Sequence, residues 1–106
     1  MDVEIQAQHT EVHPRWQEVI ERGVAKLREL CNDMLRLHVT LVHSPHHLRG
    51  AEEVRLVAYV PGETLTARKS AADMGDALHA AFKALEEEVR SFVQRRRERH
   101  RQPKRL

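Results

Sequence analysis

The chain alternates between two hydrophobic periods. From Asp2 to Gln8, "DVEIQAQ" sets Val3, Ile5 and Ala7 against Glu4, Gln6 and Gln8, the two-residue period of a half-buried strand. Past residues 9–13, Pro14 suits the first turn of a helix. Trp16, Val19, Ile20, Val24, Leu27, Leu30, Cys31 and Met34 then recur every three or four positions, which predicts an amphipathic helix of about five turns. "LRLHVTLVH" returns to alternation, with Leu35, Leu37, Val39 and Leu41 on one face and Arg36, His38 and Thr40 on the other. A polar stretch, "SPHHLRGAE", leads into "EVRLVAYV", and Pro61-Gly62 suits the centre of a type II turn closing a hairpin onto "ETLTARKS".

The last periodic segment, "SAADMGDALHAAFKALEEEVRSF", reads as one helix. Ser70 and Asp73 have the spacing of a capping box, which predicts Ser70 as its N-cap. Met74, Leu78, Ala81, Phe82, Leu85, Val89, Phe92 and Val93 form the apolar stripe. Gly75 is out of place there, because an interior helical glycine costs about 1 kcal/mol relative to alanine. It falls about 20° from Phe82 on the helical wheel, which predicts close packing over Gly75 with Trp16 or Phe82 filling the space. Beyond Val93 the apolar period lapses into "QRRRERHRQPKRL", expected to be frayed unless bound.

The order is thus β-α-β-β-β-α. It predicts an α+β two-layer sandwich in which two helices cover one face of a four-stranded sheet. The opposite face, with Arg36, His38, Thr40, Arg55, Thr66 and Arg68, is left to solvent or a protein partner. One domain over residues 1–95 and a basic, flexible tail over 96–106 are expected.

Charge sharpens this picture. The chain has 106 residues and a net charge of +2. Residues 89–106 hold eight Lys/Arg against the single acid Glu98, a net +7, so the first 88 residues carry −5. A polyanion partner reached through the C-terminal end follows, since each cation placed on a phosphate releases condensed counterions. Arg15, Arg22 and Lys26 share one flank of the first helix, and His79, Lys83, Arg90 and Arg97 one edge of the second. Two such flanks side by side suit a phosphate-lined groove. The chain lacks the aromatic pairs with which sheet-surface readers stack bases, so shape and charge would govern binding to RNA.

Other chemistries find less support. Cys31 is the only cysteine, which excludes an intramolecular disulfide and points to a reducing cytoplasm. Its place on the apolar stripe makes it a small buried hydrophobe. The loop histidines His43, His46 and His47 lack the i, i+4 spacing of a preorganised metal site, so no metal and no cofactor are expected. No nucleophile elbow or phosphate-binding glycine loop accompanies the serines and acids, so no enzymatic activity is expected. Glu86, Glu87 and Glu88 are expected to pair with Lys83 and Arg90. The N-terminus has no signal-peptide pattern, and no apolar run is long enough to span a bilayer.

Several short motifs, in order, carry a resemblance: the opening "VEIQA", then "TEVHPRWQEVIE", "AKL" at Ala25 to Leu27, "LTA" at Leu65 to Ala67, "DM" at Asp73 and Met74, "AL" at Ala77 and Leu78, and "LE" at Leu85 and Glu86. Together they resemble the ribosome hibernation promoting factor family, also called ribosome-associated inhibitor A or sigma-54 modulation proteins, over about residues 2–95. The resemblance implies the same fold and a protein that occupies the mRNA and tRNA channel of the small ribosomal subunit, silencing idle ribosomes in stressed or stationary cells. It implies rRNA contacts at Arg22 and Lys26, which match the family's basic positions, with Arg90 and a displaced Lys83 near the matching surface of the second helix; Lys69 and Arg95, Arg96 and Arg97 of the basic cluster are expected to add phosphate contacts. The chain resembles the short members, without the C-terminal domain through which long ones pair ribosomes. It departs from the family at Gly75, where relatives place a tyrosine, and at Ala84, Glu87, Ser91 and Val93, where they are largely basic. An alternative is a divergent member that keeps the fold and serves as a protein-interaction or regulatory module without binding ribosomes.

Overall fold

The computed structural model describes residues 1–45 and 51–101. Its elements run β1 (Asp2–Gln8), α1 (Pro14–Leu30), β2 (Arg36–His43), β3 (Glu52–Val60), β4 (Glu63–Ala71) and α2 (Met74–Arg101). The strands form one sheet in the order β1-β2-β3-β4. β1 pairs with β2 in parallel, as a strand returning after a helical crossover does. The β2–β3 and β3–β4 pairs are antiparallel. This is the two-layer α+β sandwich that the periodicity predicts, with both helices on one face.

The core follows the alternation residue by residue. Leu37, Val39 and Leu41 from β2, Val54, Leu56 and Ala58 from β3, and Leu65 and Ala67 from β4 are buried beneath Ile20, Val24 and Leu27 of α1 and Leu78, Leu85, Val89 and Phe92 of α2. Cys31 and Met34 close the same core beyond the end of α1. Leu35 departs from its expected inward position. β2 begins at Arg36, so Leu35 precedes the strand's alternation and stands 60% exposed while its backbone amide donates to Tyr59 O. At the hairpin, Gly62 has φ +88°, the left-handed conformation a type II turn requires at its third residue.

The start of α2 also differs from the sequence expectation. Ser70 belongs to β4, paired with Glu53, and does not cap the helix. The N-cap is Asp73, whose Oδ1 accepts from the amides of Gly75 at 2.7 Å and Asp76 at 3.3 Å. The strand pairing holds Ser70 extended, and only the next acid along reaches the first-turn amides. At its other end α2 stays helical through Arg101, past the end of the apolar stripe at Val93. Two tertiary ion pairs hold that extension, Arg95 to Glu63 at 2.8 Å and Arg96 to Asp33 at 2.7 Å. The Arg96 guanidinium also lies 5.0 Å from the centre of the Phe92 ring. Lys104 and Arg105 of the tail lie outside the described residues, as do His46 and His47.

Candidate nucleic-acid interface

The two helices touch through an exchange of large and small residues. A side chain at Gly75 would meet Trp16, whose Cζ3 stands 3.1 Å from the Cβ position, and Asp73 Oδ1 at 2.9 Å. A side chain at Gly23 would sit 2.6 Å from Cε1 of Phe82. Close packing over Gly75 is therefore present, with Trp16 as the filler, and Phe82 covers Gly23 instead. From one contact to the other, each helix advances by seven residues, so α1 and α2 run in the same direction. Gly23 was not singled out from the sequence, yet a signal was there: Trp16 precedes Gly23 by seven residues and Gly75 precedes Phe82 by seven, which pairs large with small in parallel helices.

Because glycine brings the helices close at this point, their polar rims face each other across a shallow cleft. The cleft has a volume of about 390 Å³ and is lined by Val19, Arg22 and Gly23 from α1 and His79, Phe82, Lys83 and Glu86 from α2. Arg22 and Lys83 thus meet at one site from different helices. Lys26, one turn beyond Arg22, and Arg90, two turns beyond Lys83, are exposed on the same helical layer. Arg15 stacks over the Trp16 ring at 4.5 Å.

The other sequence-predicted contacts are distributed differently. Lys69 follows Leu65 and Ala67 in the alternation of β4 and so lies on the helix side, exposed beyond the core. Arg95 and Arg96 are drawn apart, to Glu63 at the β3–β4 hairpin and to Asp33 after α1. Arg97 is exposed. Asp33 bridges Arg96 and the Cys31 thiol, which donates to Asp33 Oδ1 at 3.1 Å. The Arg96 hydrogen bond, more than any other contact, holds the Asp33 carboxyl below the usual carboxylate range. Burial pushes the Cys31 thiol up, and the hydrogen bond to Asp33 adds to the effect.

On the open face of the sheet, Arg55 and Arg68 stand side by side on β3 and β4 and both bind Glu53. Burial works against ionisation of Glu53, but the hydrogen bonds from Arg68 and Arg55 outweigh it and leave its carboxyl below the ordinary value. His43 pairs with Glu52 at the ends of β2 and β3. The expected pairs of Glu86, Glu87 and Glu88 with Lys83 and Arg90 do not form; among the described residues the paired acids are Asp33, Glu52, Glu53 and Glu63. Among the described residues, no group of three His, Cys, Asp or Glu side chains is arranged to hold a metal ion. None of their helices is long and apolar enough to cross a membrane.

Comparison with known proteins places this geometry. Residues 3–97 match the family model described as Sigma 54 modulation protein / S30EA ribosomal protein. Among solved structures, a ribosomal subunit interface protein from Coxiella burnetii matches with a TM-score of 0.73 at 18% identity, over 89% of this chain and 99% of that one. The N-terminal domain of Protein Y from Thermus thermophilus matches with a TM-score of 0.72 at 22% identity, over 87% of this chain and 99% of that one. No curated protein sequence matches the chain. At these identities the two structures establish the shared fold.

Proposed function

The chain belongs to the Sigma 54 modulation protein / S30EA ribosomal protein family, and on that premise we propose that it binds the small ribosomal subunit in the cytoplasm and holds idle ribosomes out of translation, without catalysis. The observation that carries this reading is the convergence of Arg22 and Lys83 on one cleft between parallel helices, extended by exposed Lys26 and Arg90. Two cationic rims set a helix diameter apart can each meet phosphates, and neither needs a base edge. Lys69, Arg95, Arg96 and Arg97 form an outer set of contacts. For Arg95 and Arg96 an rRNA phosphate must compete with Glu63 and Asp33, a modest barrier because exposed ion pairs are weak.

Co-sedimentation with purified small subunits tests the reading. With four phosphates engaged, affinity falls about a hundredfold between 50 and 200 mM salt. R22E/K83E removes association at the lower salt while the fold survives, since both side chains reach solvent. Salt-independent association, or an unaffected double variant, contradicts the proposal. A second reading, a protein-interaction role, draws on the open sheet face, where Tyr59 is 38% exposed, at the end of the sheet where Leu35, 60% exposed, donates its backbone amide to Tyr59 O. Neutralising Arg22, Lys26 and Arg90 separates the two, because it abolishes ribosome association and leaves that face untouched.

A further inference from the structure

β1 is an edge of the sheet, and its outer side is built for pairing. Asp2 donates its amide to the carbonyl of Leu35, the residue just before β2. In a parallel pair alternate residues bond the same neighbour, so the amides and carbonyls of Val3, Ile5 and Ala7 point away from β2, toward the open edge. The side chains of these residues are only half-buried. Beside them runs an apolar groove of about 340 Å³, floored by Val3, Ile5, Ile20, Val24 and Ala25 and rimmed by Gln17, Glu21 and Arg28 of α1. Natural edge strands are blunted by charged side chains, above all lysine, by proline or by a bulge, and β1 carries only the exposed acids Asp2 and Glu4. β4, the other edge, carries exposed Arg68 and Lys69. β1 has neither proline nor a basic residue.

The chemistry of this edge is self-complementary. An antiparallel copy of β1 related by a two-fold axis at Ile5 sets Val3 opposite Ala7, Glu4 opposite Gln6 and Asp2 opposite Gln8. No acid then faces an acid, and the outward-pointing groups of Val3, Ile5 and Ala7 meet their equivalents. The same axis brings two α1 helices together antiparallel, with small, exposed Ala25 at the contact. Glu21 and Arg28 are exposed on this rim, seven residues apart, so each meets the opposite charge on its symmetry mate. An isologous interface needs such reciprocal matching.

We propose that the chain forms a homodimer through β1, giving a continuous eight-stranded sheet with reciprocal Glu21–Arg28 ion pairs between the two α1 helices. Arg22 lies on the other flank of α1, facing Lys83 of α2 across the cleft, and both stay open in the dimer. The test is sedimentation velocity on the full chain across two decades of micromolar concentration. The wild type sediments as a dimer. E21R and R28E each weaken association roughly tenfold or more, because two attractions become two repulsions. An equimolar mixture of E21R with R28E, or the double variant E21R/R28E, restores the dimer. Both positions are exposed, so folding is not in question, and circular dichroism verifies it. A wild type that stays monomeric throughout overturns the proposal, as do single variants that dimerise like the wild type or a mixture that fails to restore the dimer. Ribosome co-sedimentation of E21R is a separate readout that the rRNA proposal predicts to be unchanged, so either idea can fail alone.

Discussion

Gly23 and Gly75 sit at equivalent contacts between the helices, yet their substitution has different expected costs. At Gly23 an added methyl meets three atoms of the Phe82 ring, which is 5% exposed and must shift to admit it. Gly23→Ala is expected to destabilise by about 1–3 kcal/mol through overpacking, even after the gain in helix propensity. At Gly75 the nearest atoms are a carboxylate oxygen and the edge of half-exposed Trp16. Gly75→Ala therefore costs less than Gly23→Ala in urea unfolding, and a tyrosine there must displace Trp16. Capping gives a second contrast: Asp73→Ala loses about 0.5–2 kcal/mol, whereas Ser70→Ala on the exposed strand position is near neutral. These residue-scale facts were only partly readable in the sequence. The anomaly of Gly75 was visible and so was its tight packing, but assigning the cap to Ser70 failed because a box motif says nothing about where the preceding strand lets go. Cys31 lies in the core, as its place on the apolar stripe implies. Its thiol is expected to resist alkylation in the native state and to react on unfolding, as measured by thiol titration with and without denaturant.

Among the elements, α2 diverges most from its sequence pattern. The apolar stripe stops at Val93, and a reading based on period alone ends the packed helix there. Its last turns instead lean on opposite charges, Glu63 from one side and Asp33 from the other. Exposed pairs of this kind contribute little to global stability, so Asp33→Asn/Glu63→Gln is expected to leave global unfolding nearly unchanged. Amide exchange over residues 94–101 should rise in that variant, because local opening no longer breaks two ion pairs. The strands behaved as their alternation required, except at Leu35, where the boundary fell one residue later. Edge and centre cannot be told from alternation; the exposed groove of β1 emerged only from strand order.

For the whole molecule, Glu53 and Asp33 link stability to pH. Both carboxyls are depressed in the folded state, so each contributes stability that is present above the unfolded carboxylate value, near pH 4, and is lost as pH falls through the folded one. Thermal melts are therefore expected to fall between pH 5 and pH 3, and Glu53→Gln should flatten that fall. A variant whose pH dependence matches the wild type would show that Glu53 carries no such linkage. Ribosome binding belongs to this scale too, because it depends on how many cations reach phosphates at once rather than on any one of them.

From its sequence alone the chain determined the number and kind of its elements, the face each one buries and its family, since period and motif order are local properties that survive without coordinates. The tertiary structure decided which cations act together. Arg22 and Lys83 share a cleft because two glycines bring the helices close, while Arg95 and Arg96, consecutive in the chain, are separated by acids on opposite sides of α2. Neighbours across a packed interface are set by register and side-chain volume, and neither can be counted along a single strand or helix.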